Sequence, residues 1–262
     1  MEYIGYLASI IIGISLGLIG SGGSILTVPV LVYLFSVDAV AATAYSLFIV
    51  GITSIAGSIN YLVRKQVDHK AVLFFGIPSV ISVYLSRAFV VPAIPDEMQL
   101  GGYSLSKGTF LLMLFAIMMI LSSYSMISKT LKIRSAKKNS IGTFLMISEG
   151  LVVGVITGIV GAGGGFLIIP SLVMLSGLQM KEAIGTSLVI IAVKSLIGFT
   201  GESSETVIDY PFLTLVSLFA VAGVFIGMMV SSRIDGNKLK PLFGWFVLAM
   251  GIYMIIKETF FT

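Results

Sequence analysis

Seven stretches of this chain, roughly 40–63, 71–92, 108–128, 141–160, 182–201, 210–231 and 241–260, run for about 20 residues with almost no charge. A helix needs about 20 apolar residues to cross a hydrocarbon core of about 30 Å. Backbone in lipid must also satisfy its own polar groups, which leaves helices or closed barrels as the spanning elements. Segments of this length predict an all-α integral membrane protein. Composition agrees: charged residues make up 11% of 262, against roughly 25% in a soluble domain. The first 20 residues lack a basic n-region and an A-x-A-like site, so the first segment is expected to be retained. With no cysteine, disulfides, thiolate metal sites and cysteine nucleophiles are excluded.

Two hydrophobic stretches are too short to span. Residues 24–36 follow Ser21-Gly22-Gly23, and residues 165–177 follow Gly163-Gly164. About 13 residues make only about 20 Å of helix, so each reads as one arm of a re-entrant or broken helix. Charge orients the rest. Arg64, Lys65 and Lys70, then Lys129, Lys132, Arg134, Lys137 and Lys138, then Arg233, Lys238 and Lys240 occupy three loops. Asp96 and Glu97, and Glu202, Glu205 and Asp209, occupy the loops between. The positive-inside rule places the basic loops in the cytoplasm and both termini outside. His69 lies in a cytoplasmic loop and reads as solvated.

A shift of 141 positions (158 minus 17) lays the chain on itself without a gap. Gly13 and Gly17 fall on Gly154 and Gly158, and Gly20-Ser21-Gly22-Gly23 falls on Gly161-Ala162-Gly163-Gly164. Leu26, Pro29, Ala42, Ser46, Leu47, Ser54 and Gly57 fall on Leu167, Pro170, Ala183, Ser187, Leu188, Ser195 and Gly198. The matching loops exchange charge, basic 64–70 against acidic 202–209. The expected architecture is therefore two inverted-topology repeats, 1–128 and 141–262, joined by a basic cytoplasmic linker at 129–140. Each repeat has a glycine-broken or re-entrant hairpin followed by spanning helices, an arrangement many secondary transporters use.

The helix that begins after each glycine turn offers unpaired N–H groups and a positive dipole end, which suits an anion. Candidate binding residues are Ser21, Gly22, Gly23 and Ser24 at the first turn and Gly163, Gly164 and Gly165 at the second. Close helix packing is the alternative use of such glycines. Ser46 and Ser187 are the hydroxyls expected to matter most, as repeat-matched positions on the helices after the turns. Among ionisable residues, Lys194 and Glu149 lie too deep to reach water easily. Lys194 is a candidate substrate ligand, and Glu149 a coupling residue or its ion-pair partner. Arg87, near the outer end of 71–92, is expected to snorkel to the interface.

Ala183-Ile-Gly-Thr-Ser187, Lys194-Ser-Leu-Ile-Gly-Phe199, the first-half Gly-Ser-Gly-Gly-Ser and Ala42-Thr-Ala-Tyr-Ser46, and Phe243-Gly-Trp-Phe-Val-Leu-Ala-Met-Gly-Ile-Tyr253 together resemble the sulfite exporter TauE/SafE family. The resemblance implies a permease for sulfur-containing anions such as sulfite or organosulfonates, often exporting them. Lys194 departs from the uncharged residue, such as asparagine, expected there.

The leading expectation is a secondary transporter of small anions in a bacterial or archaeal cytoplasmic membrane, working by alternating access. A passive anion channel or facilitator is the alternative. A membrane enzyme is disfavoured, since no H-E-x-x-H, aspartate pair or Ser/His arrangement lies at membrane depth. No cofactor, metal or nucleic acid is expected. The expected partners are a small anion and the lipid bilayer, with room for a coupling proton or ion and for a homodimer.

Overall fold

The computed structural model describes residues 2–20, 22–100, 103–127, 140–175, 177–202, 208–231 and 236–260. Its helices are α1 (Glu2–Ile19), α2 (Gly22–Tyr33), α3 (Ala39–Val63), α4 (His69–Ala93), α5 (Lys107–Ile127), α6 (Ser140–Val160), α7 (Gly165–Leu175), α8 (Met180–Thr200), α9 (Tyr210–Ser231) and α10 (Gly236–Phe260). Six of them, α3, α4, α5, α6, α8 and α9, are long and apolar enough to cross a membrane. The seventh expected span, 241–260, lies within α10, several of whose first side chains are not described, and the six do not include it.

Local chemistry sets the helix ends. Asp38 Oδ2 accepts the N–H groups of Val40 at 2.8 Å and Ala41 at 3.3 Å, capping α3. Asp68 Oδ1 does the same for Ala71 in α4. Two wider π-helical turns, Val72–Gly76 and Ser86–Val90, interrupt α4. Each lies just before a proline, Pro78 or Pro92, whose missing N–H frees a carbonyl one turn back. Between α4 and α5 the loop forms a short antiparallel hairpin, β1 (Glu97–Leu100) with β2 (Tyr103–Ser106), pairing Glu97 with Ser106 and Leu100 with Tyr103. No strand is expected from the hydropathy pattern, although Gly101-Gly102 between the strands is a two-residue hairpin signal.

α1 lies along α9, and α6 along α4, at distances only glycine permits. A Cβ on Gly154 would sit 2.6 Å from the Ser79 carbonyl oxygen, and one on Gly158 would sit 2.7 Å from Ser86 Cβ. Such small-residue stripes let membrane helices approach closely. The contacts also repeat in register. Gly13 meets Ala220 and Gly154 meets Ser79, and 220 minus 79 is 141. Gly17 meets Val224 and Gly158 meets Val83; Gly20 meets Ile184 and Gly161 meets Thr43. Both of those partner pairs are 141 apart as well. Each half thus seats its glycines on the other half's matching residues.

The two short helices run back from the glycine turns toward opposite ends of the bundle. Leu31, late in α2, packs with Ala42, Ala44, Tyr45 and Leu213 at the end where α3 and α9 begin. Leu172, late in α7, packs with Ala71, Phe75 and Ala183 at the end where α4 and α8 begin. The turns themselves share one core, in which Ile19 and Ile25 cluster with Val160, Ala162 and Phe166.

Candidate functional site

The second turn is the more sharply bent. Gly161, Gly163 and Gly164 have φ of +74°, +62° and +72°, a region glycine enters without the cost a side chain imposes. The Gly164 N–H donates to the Ala162 carbonyl at 2.6 Å, and the Gly164 carbonyl accepts from Leu167 at 3.0 Å and Ile168 at 3.1 Å, which starts α7. Around this turn gather side chains from four helices. A Cβ on Gly164 would lie 2.8 Å from Lys194 Nζ, one on Gly163 3.2 Å from Ser195 Oγ, and one on Gly161 2.5 Å from Arg87 Nη2.

Lys194 is completely buried. Its Nζ donates to Thr157 Oγ1 at 2.9 Å, and Thr157 in turn donates to the Val153 carbonyl at 2.7 Å. Among the described residues Lys194 has no carboxylate partner. Glu149 is half-buried on α6, and its carboxylate faces the Ser171 hydroxyl. The two candidates for an ion pair are therefore not paired with each other.

Arg87 corrects an expectation. It does not snorkel: its side chain is 0% exposed, and Nη1 donates to Glu202 Oε2 at 3.0 Å. The cause is the end of α8. A Cβ on Gly201 would lie 3.2 Å from Arg87 Cβ, and that close approach delivers Glu202 to the guanidinium. A snorkelling arginine needs a free path to water, and α8 closes it.

The remaining candidates divide. Gly22 heads α2, and Gly23 packs on α1, where a Cβ would lie 2.6 Å from both the Ile12 oxygen and Leu16 Cβ. Ser24 is buried in the same helix. Ser21 lies outside the described residues, as do 129–139, Glu205 and Arg233. Gly165 heads α7. Ser46 is buried with no hydrogen-bond partner for its Oγ, whereas Ser187 spends its hydroxyl on the Ile184 carbonyl at 2.8 Å. The structure thus brings Gly163, Gly164 and Lys194 together, whereas the nearest neighbours of Gly20 and Gly23 are Ile184, Ile12 and Leu16.

The family model described as "Sulfite exporter TauE/SafE" matches residues 5–254. The chain belongs to the sulfite exporter TauE/SafE family. It is 25% identical over 254 residues to a "Probable membrane transporter protein" of Xylella fastidiosa, covering 95% of this chain and 92% of that one. It is 26% identical over 271 residues to the "Probable membrane transporter protein YunE" of Bacillus subtilis, covering 93% of each. A Methanocaldococcus jannaschii protein of the same description is 34% identical over 116 residues, 42% of this chain and 43% of that one. No solved structure matches the chain. With six helices of spanning length among the described residues, this TauE/SafE protein is a multi-pass membrane transporter.

Three residues at the turn of this TauE/SafE chain escape the sequence reading. Thr157 reads as one more helix hydroxyl, yet it is the partner of Lys194. Ser195, one of several repeat-matched serines, has a buried Oγ with no partner. Arg87 reads as an interface residue by its place near a helix end. Only the spacing of Lys194 and Ser195, adjacent on a helix facing a glycine turn, carried a usable signal.

Proposed function

We propose that the chain exports small sulfur-containing oxyanions, sulfite or organosulfonates, by alternating access, with the anion held beside the second glycine turn. The observation that carries this reading is the burial of Lys194 without a carboxylate. An ionised lysine at the centre of a spanning helix costs about 2.5–3.5 kcal/mol on insertion scales. An ammonium offers three donors, and among the described residues Thr157 takes one. An oxyanion seated against Gly163–Gly165 would neutralise the charge and use the remaining donors, with Ser195 adding a hydroxyl. Gly22–Ser24 form the matching element of the first half.

The reciprocal register of 141 supports two repeats, 1–128 and 141–262, and the opposed return of α2 and α7 supports their inversion about the basic 129–140 linker. Such repeats rock against each other about a fixed midplane site. A coupling proton or ion would use Glu149, the half-buried acid of α6.

The deciding measurement is anion flux in proteoliposomes for Lys194→Met. A charge-assisted hydrogen bond contributes about 1.5–3 kcal/mol, so half-saturation should rise about tenfold to a hundredfold, while the melting temperature holds or rises. Unchanged affinity in folded protein removes Lys194 from the site. Proton dependence of flux separates coupled transport from passive conduction. Orientation has its own check. The chain has no cysteine, so Ser135→Cys should react with an impermeant thiol reagent only from the cytoplasmic side, and labelling from outside would invert the topology.

A further inference from the structure

The Arg87–Glu202 pair lies between two regions that the transport reading leaves unconnected. On one side is the second glycine turn, where Arg87 Nη2 lies 2.5 Å from the place a Cβ on Gly161 would take. On the other is an open cleft of about 680 Å³, lined by the ends of α3, α4, α5 and α8. Glu202 belongs to the wall of that cleft, along with Asp38, Asp96 and Lys107. The acids outnumber the single lysine among these charged groups, so the mouth repels anions.

The pairing of Arg87 is incomplete in a specific way. Glu202 takes Nη1 alone; Nε and Nη2 are buried and have no partner. Those two nitrogens form one edge of the planar guanidinium, with parallel N–H groups that match two oxygens of an oxyanion. Leaving such an edge unsatisfied in the interior costs the full desolvation penalty of a charged group. No protein group among the described residues fills it. Among the described residues, two buried cations, Arg87 beside Gly161 and Lys194 beside Gly164, have one carboxylate partner between them, Glu202.

We propose that Arg87 is a second oxyanion site on the path, the last before the cleft, and that Glu202 is the built-in competitor that releases the anion. This rests on the reading that the chain carries an oxyanion. An anion leaving Lys194 crosses the turn and binds the Nε/Nη2 edge of Arg87. Glu202, tethered beside Gly201, then takes over the guanidinium, and the acidic mouth formed with Asp38 and Asp96 discourages return. No bond is made or broken, since release is an exchange of one anion for another on a single guanidinium.

The test uses the full-length protein in proteoliposomes, with radiolabelled sulfite and methanesulfonate as probes. Half-saturation is measured with substrate presented from the cleft side, alongside turnover and melting temperature. Removing the competitor in Glu202→Gln should lower half-saturation by about tenfold, a shift of about 1.4 kcal/mol, and slow turnover because release is impaired. Arg87→Gln should raise half-saturation at least about tenfold, and Arg87→Gln with Glu202→Gln should remain as weak as Arg87→Gln alone. A merely structural pair gives the opposite pattern: Glu202→Gln loses stability without gaining affinity, and the double variant recovers both. That pattern overturns the proposal. Should Glu202→Gln not fold, Arg87→Lys keeps the charge and loses the fork, and an unchanged half-saturation there overturns it equally. Wild-type protein that carries neither probe defeats the transport reading, whereas wild-type transport with no tightening in Glu202→Gln defeats only this inference.

Discussion

The two glycine turns are matched in sequence and unlike in surroundings. Gly23 and Gly164 occupy equivalent positions, and each lies against the helix before it, on Leu16 and on Thr157, which are themselves 141 apart. At the first turn the neighbours are apolar: Leu16 beneath Gly23 and Ile184 beside Gly20. At the second they include Val50 and Ile191 but also Thr157, Lys194, Ser195, Thr43 and Arg87. The position matching Lys194 in the first half is Thr53, whose hydroxyl is already spent on the Ile49 carbonyl at 2.7 Å. Four sequence differences, Leu16 against Thr157, Thr53 against Lys194, Ile184 against Thr43 and Met228 against Arg87, therefore turn an apolar bed into a cationic one. The backbones of the turns differ too, since Gly164 takes a positive φ and Gly23 does not, and on the proposed reading the side-chain asymmetry decides where the anion is held.

The largest effect is expected at the cationic turn. Gly164→Val places a branched side chain at φ +72°, where a non-glycine residue costs about 1–3 kcal/mol. Its Cβ would also meet Thr157 and Lys194 Nζ. Transport should be abolished, and the melting temperature of the detergent-solubilised protein should fall. Normal flux at normal expression would reduce this glycine to a packing residue.

A sharper form of the comparison makes the second turn resemble the first. Thr157→Leu with Lys194→Thr installs the first half's residues in the second half. The double variant removes a buried lysine and the hydroxyl that serves it, so stability should hold or improve by about 1 kcal/mol or more. Anion affinity should nevertheless drop about tenfold to a hundredfold, as charge-assisted bonding of about 1.5–3 kcal/mol is lost. Retention of affinity in isothermal titration with sulfite would mean that the glycine backbones, and not the cation, hold the anion.

Much of this fold is legible before any coordinates, because lipid permits so few structures. The spans follow from apolar length alone, and the short arms α2 and α7 follow from the glycine runs that precede them. The hairpin at 97–106 escapes such reading because hydropathy windows of about 20 residues average over two four-residue strands. Site residues are harder for a related reason. A hydroxyl in a membrane helix usually bonds the carbonyl three or four residues back, as Ser187, Thr53 and Thr27 do. Sequence does not separate those from Ser46, Ser54 and Ser195, whose oxygens are buried without a partner. Arg87 escapes for the opposite reason: its partner Glu202 is 115 residues away and reaches it only through the close approach of Gly201.

The smallest effect probes the serines that the two halves share. Ser54 and Ser195 are 141 apart, both are fully buried, and neither Oγ has a partner. An unsatisfied buried hydroxyl costs about 1–3 kcal/mol, so alanine at either position should leave stability unchanged or raise it. Their roles should part at the anion. Ser195 Oγ lies within reach of the Gly163 backbone and is adjacent in sequence to Lys194, so its loss removes one neutral donor to the bound oxyanion. Such a bond is worth about 0.5–1.5 kcal/mol, and Ser195→Ala should raise half-saturation about twofold to tenfold. Ser54 has Thr53 as its neighbour in place of the lysine, and Ser54→Ala should leave half-saturation as it was. Equal shifts at both positions, measured in the same proteoliposome preparation, would show that the anion contacts the two turns alike and that the asymmetry of charge does not set its place.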